Sequence, residues 1–192
     1  MTEDLGSAFE VGYNDQYLLA NRSLDRMYRY VIHNPFWWWI RWEHPEYFSR
    51  RHEWEIAGVR CSLYGNLSLL DNAFIYPVIV HRAEFGNKGL LEKKQEWWKY
   101  GILNGGVVAG GFVNKPEQAV LNSAFENDGK VILFRNKGYK KHEKPEEFLM
   151  EQCAKGNLLI ISPDLDLYLP ENREFEDECH FMNDLARRMA RI

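Results

Sequence analysis

From Cys61 onward the hydrophobic positions of this chain fall into short blocks whose period alternates. Phe74-Ile75-Tyr76-Pro77-Val78-Ile79-Val80 is a continuous apolar run of strand length, which argues for a strand covered on both faces, as in a parallel sheet. Gly89 to Tyr100 switches to a helical pattern, with Leu90, Leu91, Trp97 and Trp98 apolar, Glu92, Lys93, Lys94, Glu96 and Lys99 polar, and Gly101 as its predicted end. Val107-Val108 is a second strand. Pro116 and Glu117 suit the first turn of a helix that runs to about Glu126 and closes at Asp128-Gly129. Val131 to Phe134 is a third strand, Pro145 to Gly156 a third helix, and Leu158 to Ile161 a fourth strand. Strands that alternate with helices in this way predict an α/β domain built on a doubly wound, mainly parallel sheet with helices on both faces. The acidic stretch from Asp164 to Glu178 reads as a surface loop and helix start. Met182, Leu185, Met189 and Ile192 then continue at helical spacing, as an amphipathic helix packed on the sheet.

Before Cys61 the pattern is different. Tyr17, Leu18, Leu24, Met27, Tyr28, Val31 and Ile32 recur at spacings of three and four, which predicts a helix from about Asn14 to His33, stopped by Asn34-Pro35. Phe36-Trp37-Trp38-Trp39-Ile40-Arg41-Trp42 follows. Such a run could stack nucleic acid bases, but packing or an oligomer interface is the commoner use of aromatic residues beside a helix. His44-Pro45 and the charged Ser49-Arg50-Arg51-His52-Glu53 suggest an exposed linker. The expected organisation is therefore a helical, Trp-rich extension over residues 1–60 and an α/β domain with its C-terminal helix over 61–192.

Composition narrows the function classes. Of 192 residues, 45% are hydrophobic and 27% charged, the balance of an ordinary globular domain. The net charge of −4 gives no global attraction to nucleic acid, so any such binding needs a local basic patch. No apolar run approaches the roughly 18 residues of a membrane span, and Met1 to Gly12 lacks a basic-then-apolar signal pattern, so a cytoplasmic protein with no membrane partner is expected. Cys61, Cys153 and Cys179 are odd in number and widely spaced, which reads as reduced structural thiols. Cys179-His180 and the Asp164/Asp166 pair lack further ligands at metal spacing, and no nucleophile triad is visible, so neither a metal nor a cofactor is expected.

Three places could carry chemistry. Gly110-Gly111, where a buried strand breaks toward a helix, would let the backbone approach an anion, with Asn114 and Lys115 opening the helix; a plain tight turn is the competing reading. Arg82 follows the first strand at its C-terminal end, where α/β sheets bind ligands. There a guanidinium can grip a phosphate or simply pair with Glu84. Lys130, Arg135, Lys137, Lys140, Lys141 and Lys144, interleaved with Tyr139 and His142, form a basic segment that suits an unpaired nucleic acid strand or a solvated loop.

Several of these blocks, taken in order, resemble the DNA-processing protein A (Smf) family, whose Rossmann-like domain is related to the cytokinin-activating Lonely Guy proteins. Ser62-Leu63-Tyr64-Gly65-Asn66-Leu67-Ser68-Leu69-Leu70 is similar to the family's "LYxxGNxxLL", Val78 to Arg82 to its "VGxR", and Val107 to Gly111 to the start of "VVSGxARGID". Gly129-Lys130-Val131-Ile132 stands at "GGKTIAV", and Gly138-Tyr139, Pro145 to Phe148 and Gly156 to Ser162 follow "GLDxxYPxxN" and "GxLLSE". The resemblance spans about half the chain. It implies a Rossmann-like domain that binds single-stranded DNA or another phosphate-bearing ligand, with Arg82 on phosphate and Lys130 on DNA. The chain departs from the pattern in three places. Asn114-Lys115-Pro116-Glu117 stands at the family's Arg-Gly-Ile-Asp, Val80 at the glycine of "VGxR", and Ser162-Pro163 at the final Ser-Glu. Gly110 to Glu117 also has the spacing of the Lonely Guy "GGxGTxxE", in which the Glu is catalytic, but the inner Gly-Thr is missing. Glu117 is therefore expected to serve as a helix-terminal residue more than as a catalyst. A small-nucleotide sensor or phosphoribohydrolase of the Lonely Guy type is the alternative, and association into a homo-oligomer is expected.

Overall fold

The computed structural model describes residues 38–139 and 143–190, together with Tyr28, Ile32, Pro35 and Phe36. By its internal contacts the chain divides into one unit over residues 1–39 and a second over 40–192. The expected helix over 14–33 lies outside the described residues except for Tyr28 and Ile32, both helical. Trp38, Trp39 and Trp42 are helical and exposed.

The second unit is an α/β domain around one six-stranded sheet. Its elements are β1 (Ser49–Ile56), β2 (Val59–Gly65), β3 (Ile75–Pro77), α1 (Lys88–Leu103), β4 (Val107–Gly110), α2 (Lys115–Glu126), β5 (Lys130–Phe134), α3 (Glu147–Ala154), β6 (Leu158–Pro163) and α4 (Phe175–Met189). The strands lie in the order β1-β2-β6-β5-β4-β3. β3, β4, β5 and β6 run parallel to one another, while β2 runs antiparallel to both β6 and β1. The residues expected to form a linker, Ser49 to Glu53, are instead the first half of β1, and the expected boundary at residue 60 falls inside the β1–β2 hairpin. An edge strand with one neighbour is mostly solvated, so its charged sequence conceals the strand alternation.

Helices cover both faces, but the sheet is not doubly wound in the expected sense. In that topology the fourth parallel strand turns back to lie beside the first. Here β6 continues past β5, so the four parallel strands advance in one direction. Crossovers of one hand taken in one direction leave their helices on one face. Accordingly Val78, Val108, Val131, Leu158 and Ile160 pack with Trp98 and Ile102 of α1, Val120, Ala124 and Phe125 of α2, and Met150 and Cys153 of α3. The alternate residues Val107, Ala109, Ile132, Phe134, Leu159 and Ile161 pack with Met182, Leu185, Ala186 and Met189 of α4. The apolar runs of β4, β5 and β6 are continuous because both faces of these strands are buried. The C-terminal helix thus packs as its spacing predicts, with Ile192 outside the described residues.

Local sequence sets the helix ends. Gly101 does not end α1: it is buried inside the last turns with the Tyr76 ring against it, where a Cβ would fall 2.8 Å from ring atoms, and the chain leaves the helix through Gly105 at φ +77°. In α2 the Asn114 side chain caps the first turn, Pro116 stands where no N–H is needed, and Asp128 takes φ +48° at the exit.

The outer edge of β3 is closed by side chains. Pro77 has no N–H, its carbonyl accepts from Trp98 Nε1 at 3.0 Å, and the Ile79 carbonyl accepts from Lys94 Nζ at 3.1 Å. Lys94 is held there by Glu84 at 2.7 Å.

Candidate functional site

The loops that leave β3 and β4 at their C-terminal ends are joined by the first turn of α2. Glu117 is only 4% exposed, and each of its carboxylate oxygens accepts a main-chain N–H, Val80 at 2.8 Å and Val113 at 3.0 Å. Asn114 Oδ1 accepts the N–H of Glu117 at 3.0 Å, while its Nδ2 donates to the Val80 carbonyl at 3.1 Å. The buried Phe112 takes φ +50°, a left-handed conformation that bulky residues seldom adopt. An internal carboxylate therefore already sits at the helix N-terminus where an anionic ligand was expected.

The two glycines differ. At Gly110 a Cβ would fall 2.8 Å from the Val78 carbonyl oxygen, so the residue is small because β3 and β4 approach closely there. Gly111 has only ordinary contacts, to Val113 at 3.4 Å and Met182 at 3.9 Å, and it lies in the wall of a cleft.

That cleft, of about 380 Å³, lies at the C-terminal ends of β3 and β4 against the first turns of α4. His81, Arg82, Gly111, Asn114, Glu176 and His180 contribute its polar wall, and Phe85, Val113 and Phe175 its apolar one. Arg82 is exposed and makes no ion pair among the described residues. Arg187 and the His81 Nε2 are 3.0 Å apart, while Glu176 and His180 pair at 3.7 Å across one turn of α4. Burial, with the carboxylates of Glu117, Glu178 and Glu176 nearby, raises the Cys179 thiol above its ordinary range, so it is not a ready nucleophile.

A second cleft of about 230 Å³ shares Gly111, Val113, Phe175 and Met182 with the first and adds Arg135, Asn136 and Glu146. Together the two make a groove across the ends of β3, β4 and β5, with Arg82 toward one end, Arg135 toward the other, and the 55%-exposed Phe175 between them.

The remaining expected residues divide. Lys115 is exposed at the start of α2, beside Asn114. Lys130 is not brought to the groove: it pairs with Val107 at the N-terminal end of β5, whereas Gly110 pairs with Leu133 near the other end. Tyr139 is not a stacking platform. Its ring is buried in the core near Tyr64, burial pushes its hydroxyl up to about 12, and Arg135 both bonds that hydroxyl and lies 4.5 Å from the ring centroid. Lys137 is exposed beside it, and Lys140, Lys141 and His142 lie outside the described residues. Sequence reading misses what α4 contributes, because Cys179-His180 in isolation suggests only a metal pair. The polar face opposite Met182 and Met189 was the available signal. Among the described residues no group of three His, Cys, Asp or Glu side chains is arranged to hold a metal ion, and no helix is long and apolar enough to cross a membrane.

Comparison of the chain with protein-family models, with curated proteins and with solved structures returns no match.

Proposed function

We propose that this chain is a DNA-processing-A-like protein with a Rossmann-like domain, and that it binds single-stranded DNA or another phosphate-bearing ligand in the groove at the C-terminal ends of β3, β4 and β5. The observation that carries this reading is Arg82, a guanidinium without an ion-pair partner among the described residues, in the wall of the 380 Å³ cleft beside Gly111 and Asn114. A guanidinium so placed can take a phosphate through two parallel hydrogen bonds. Exposed Phe85, Phe175 and Val113 offer apolar surface to a base, and Arg135 offers a second cation further along. The acidic groups Glu117, Glu176 and Glu146 line the same groove, so the ligand is short and its phosphates few.

A fluorescence titration of labelled oligo-dT at two salt concentrations tests this. Two neutralised phosphates on a single strand correspond to a slope of about −1.4 in log affinity against log salt. Arg82→Ala weakens every sequence alike, because phosphate contacts carry no base information. No binding at low salt rejects DNA as the ligand.

The second reading, a small-nucleotide sensor, is favoured by the first cleft taken alone, whose 380 Å³ falls within the range of small-molecule sites. The phosphoribohydrolase form of that reading is weakened by Glu117, whose two oxygens are both engaged by main-chain N–H groups.

A further inference from the structure

The outer face of α1 turns a short, regular stripe to solvent. Gly89, Lys93, Glu96 and Tyr100 stand four, three and four residues apart, so they fall in one line along the helix, and all four are exposed. The buried face is the opposite one, through Trp98, Gly101 and Ile102. Among the described residues the side chains of Lys93 and Glu96 make neither an ion pair nor a hydrogen bond.

Large apolar side chains continue this stripe. Tyr100 is 61% exposed, Leu103 60% and Trp97 48%, the last in an edge contact with Tyr76 at 4.9 Å between ring centroids. Together they present roughly 300–400 Å² of mostly apolar surface, the size of patch that on a single chain often serves a contact. Gly89 is their complement. A Cβ there would meet nothing within 4 Å and its φ is not positive, so nothing within the chain calls for glycine, a residue that weakens helices.

The spacing of the stripe is its own mirror image. Turned end for end about a two-fold axis midway between Lys94 and Gln95, it brings Lys93 of one copy opposite Glu96 of the other, and Tyr100 opposite Gly89, each twice over. Leu103 then stands opposite Gly86, just before the helix cap Asn87, where a Cβ likewise meets nothing within 4 Å. No like charges are opposed in this register, since Glu92 stands across from Trp97 and Lys99 across from Leu90. Opposite charges meet, and each large side chain meets a residue that has none. A two-fold interface must match itself in this way, one residue to another and back again. Contact with an unrelated helix would require none of it.

We propose that α1 is a self-association surface, through which two copies of this chain dimerise with their α1 helices antiparallel. Tyr100 of each copy seats on Gly89 of the other, and Lys93 pairs with Glu96 across the seam. Burial of Tyr100, Leu103 and Trp97 supplies the affinity, while the exposed ion pairs add little energy and fix register and direction. Each partner in a standard interface contributes about 800 Å², so a contact centred on this smaller patch is reversible, with monomer and dimer in equilibrium. The inference needs nothing from the reading of the groove at β3, β4 and β5.

The experiment is sedimentation equilibrium of the full chain, from dilute to near-millimolar solutions. The parent should pass from monomer to dimer as concentration rises. Lys93→Glu and Glu96→Lys should each weaken the dimer about tenfold, because symmetry turns one substitution into two like-charge contacts. The double variant, which exchanges the two charges, should return to within about threefold of the parent. Gly89→Glu has open space within its own chain and suits a helix N-terminus, so it should keep the circular dichroism and melting temperature while abolishing the dimer. If a charge variant does not fold, Gly89→Glu decides alone. A parent that stays monomeric near millimolar concentration overturns the proposal. So does a dimer that Gly89→Glu leaves intact, or one that the two charge reversals weaken without rescuing each other.

Discussion

Oε1 of Glu117 lies 2.8 Å from the main-chain nitrogen of Val80, so the first turn of α2 grips the loop that leaves β3. Oε2 holds Val113 in the same way. Removing this carboxylate leaves two N–H groups without partners, and a buried donor left unpaired costs about 1–3 kcal/mol. Glu117→Ala should therefore destabilise the fold by about 2–4 kcal/mol. Urea unfolding monitored by tryptophan fluorescence measures it. Any loss of ligand binding should track the unfolded fraction, and a large binding defect in a variant of parental stability would restore a direct chemical role for Glu117.

Gly110 and Gly111 should separate under substitution. At Gly110 a methyl group meets the Val78 carbonyl at 2.8 Å, so Gly110→Ala forces β3 away from β4 and should cost about 1–3 kcal/mol. Gly111→Ala fits within ordinary contacts, leaves the melting temperature close to the parent's, and acts on the groove by narrowing it. Thermal melts and the oligo-dT titration, run on both variants, distinguish the two effects.

Arg82 and Lys130 should likewise part company. Lys130 begins β5, whose five residues span roughly 13 Å, and the groove lies at the far end. Lys130→Ala should leave oligo-dT affinity and its salt slope unaltered, while Arg82→Ala lowers both. Equal losses from the two variants would show that the ligand runs along a different surface.

High pH should weaken the fold through three buried groups. Burial pushes the Cys61 and Cys153 thiols and the Tyr139 hydroxyl up to about 12. Each is neutral when protonated, and the folded state holds that proton more tightly than the unfolded chain. Their contribution is complete below the unfolded values, about 8.5 for cysteine and about 10 for tyrosine, and is lost as pH rises toward 12. Urea midpoints should fall progressively from pH 9 to 11. At pH 8 Cys61 and Cys153 should resist a thiol reagent until the protein is unfolded.

The alternation of apolar runs with helical segments located β3 to β6 and α1 to α4: β4, β5 and β6 are buried on both faces and leave an unbroken apolar signal, while the run at β3 is completed by the buried Val78, Ile79 and Val80, which follow a strand that ends at Pro77. The same logic could not see β1. Arg50, Arg51, His52 and Glu53 read as a linker because an edge strand keeps its polar residues in solvent. Nor could it order the strands: only pairing, Leu133 with Ile160 for example, shows that β6 continues past β5. At the site, Arg82, Gly111 and Asn114 were legible as residues at strand ends and a helix start. Tyr139 was misread, since an aromatic residue within a basic stretch looks exposed until its ring is seen among Tyr64, Met150 and Cys153. Glu117 was visible as a helix-terminal acid, but its second partner, Val80, is 37 residues away in sequence.

The closure of β3 by Pro77, Trp98 and Lys94 bears on how copies of this chain can meet. A strand edge is a template for further strands, and here the Pro77 carbonyl is already taken and its donor is missing, while the Ile79 carbonyl just beyond the strand is taken as well. At the opposite rim, β1 presents charged side chains and a bulge, a second and unrelated way of discouraging the same event. Both rims thus carry features that disfavour main-chain pairing between molecules. Concentrated solutions of the folded protein should accordingly be slow to seed fibrils.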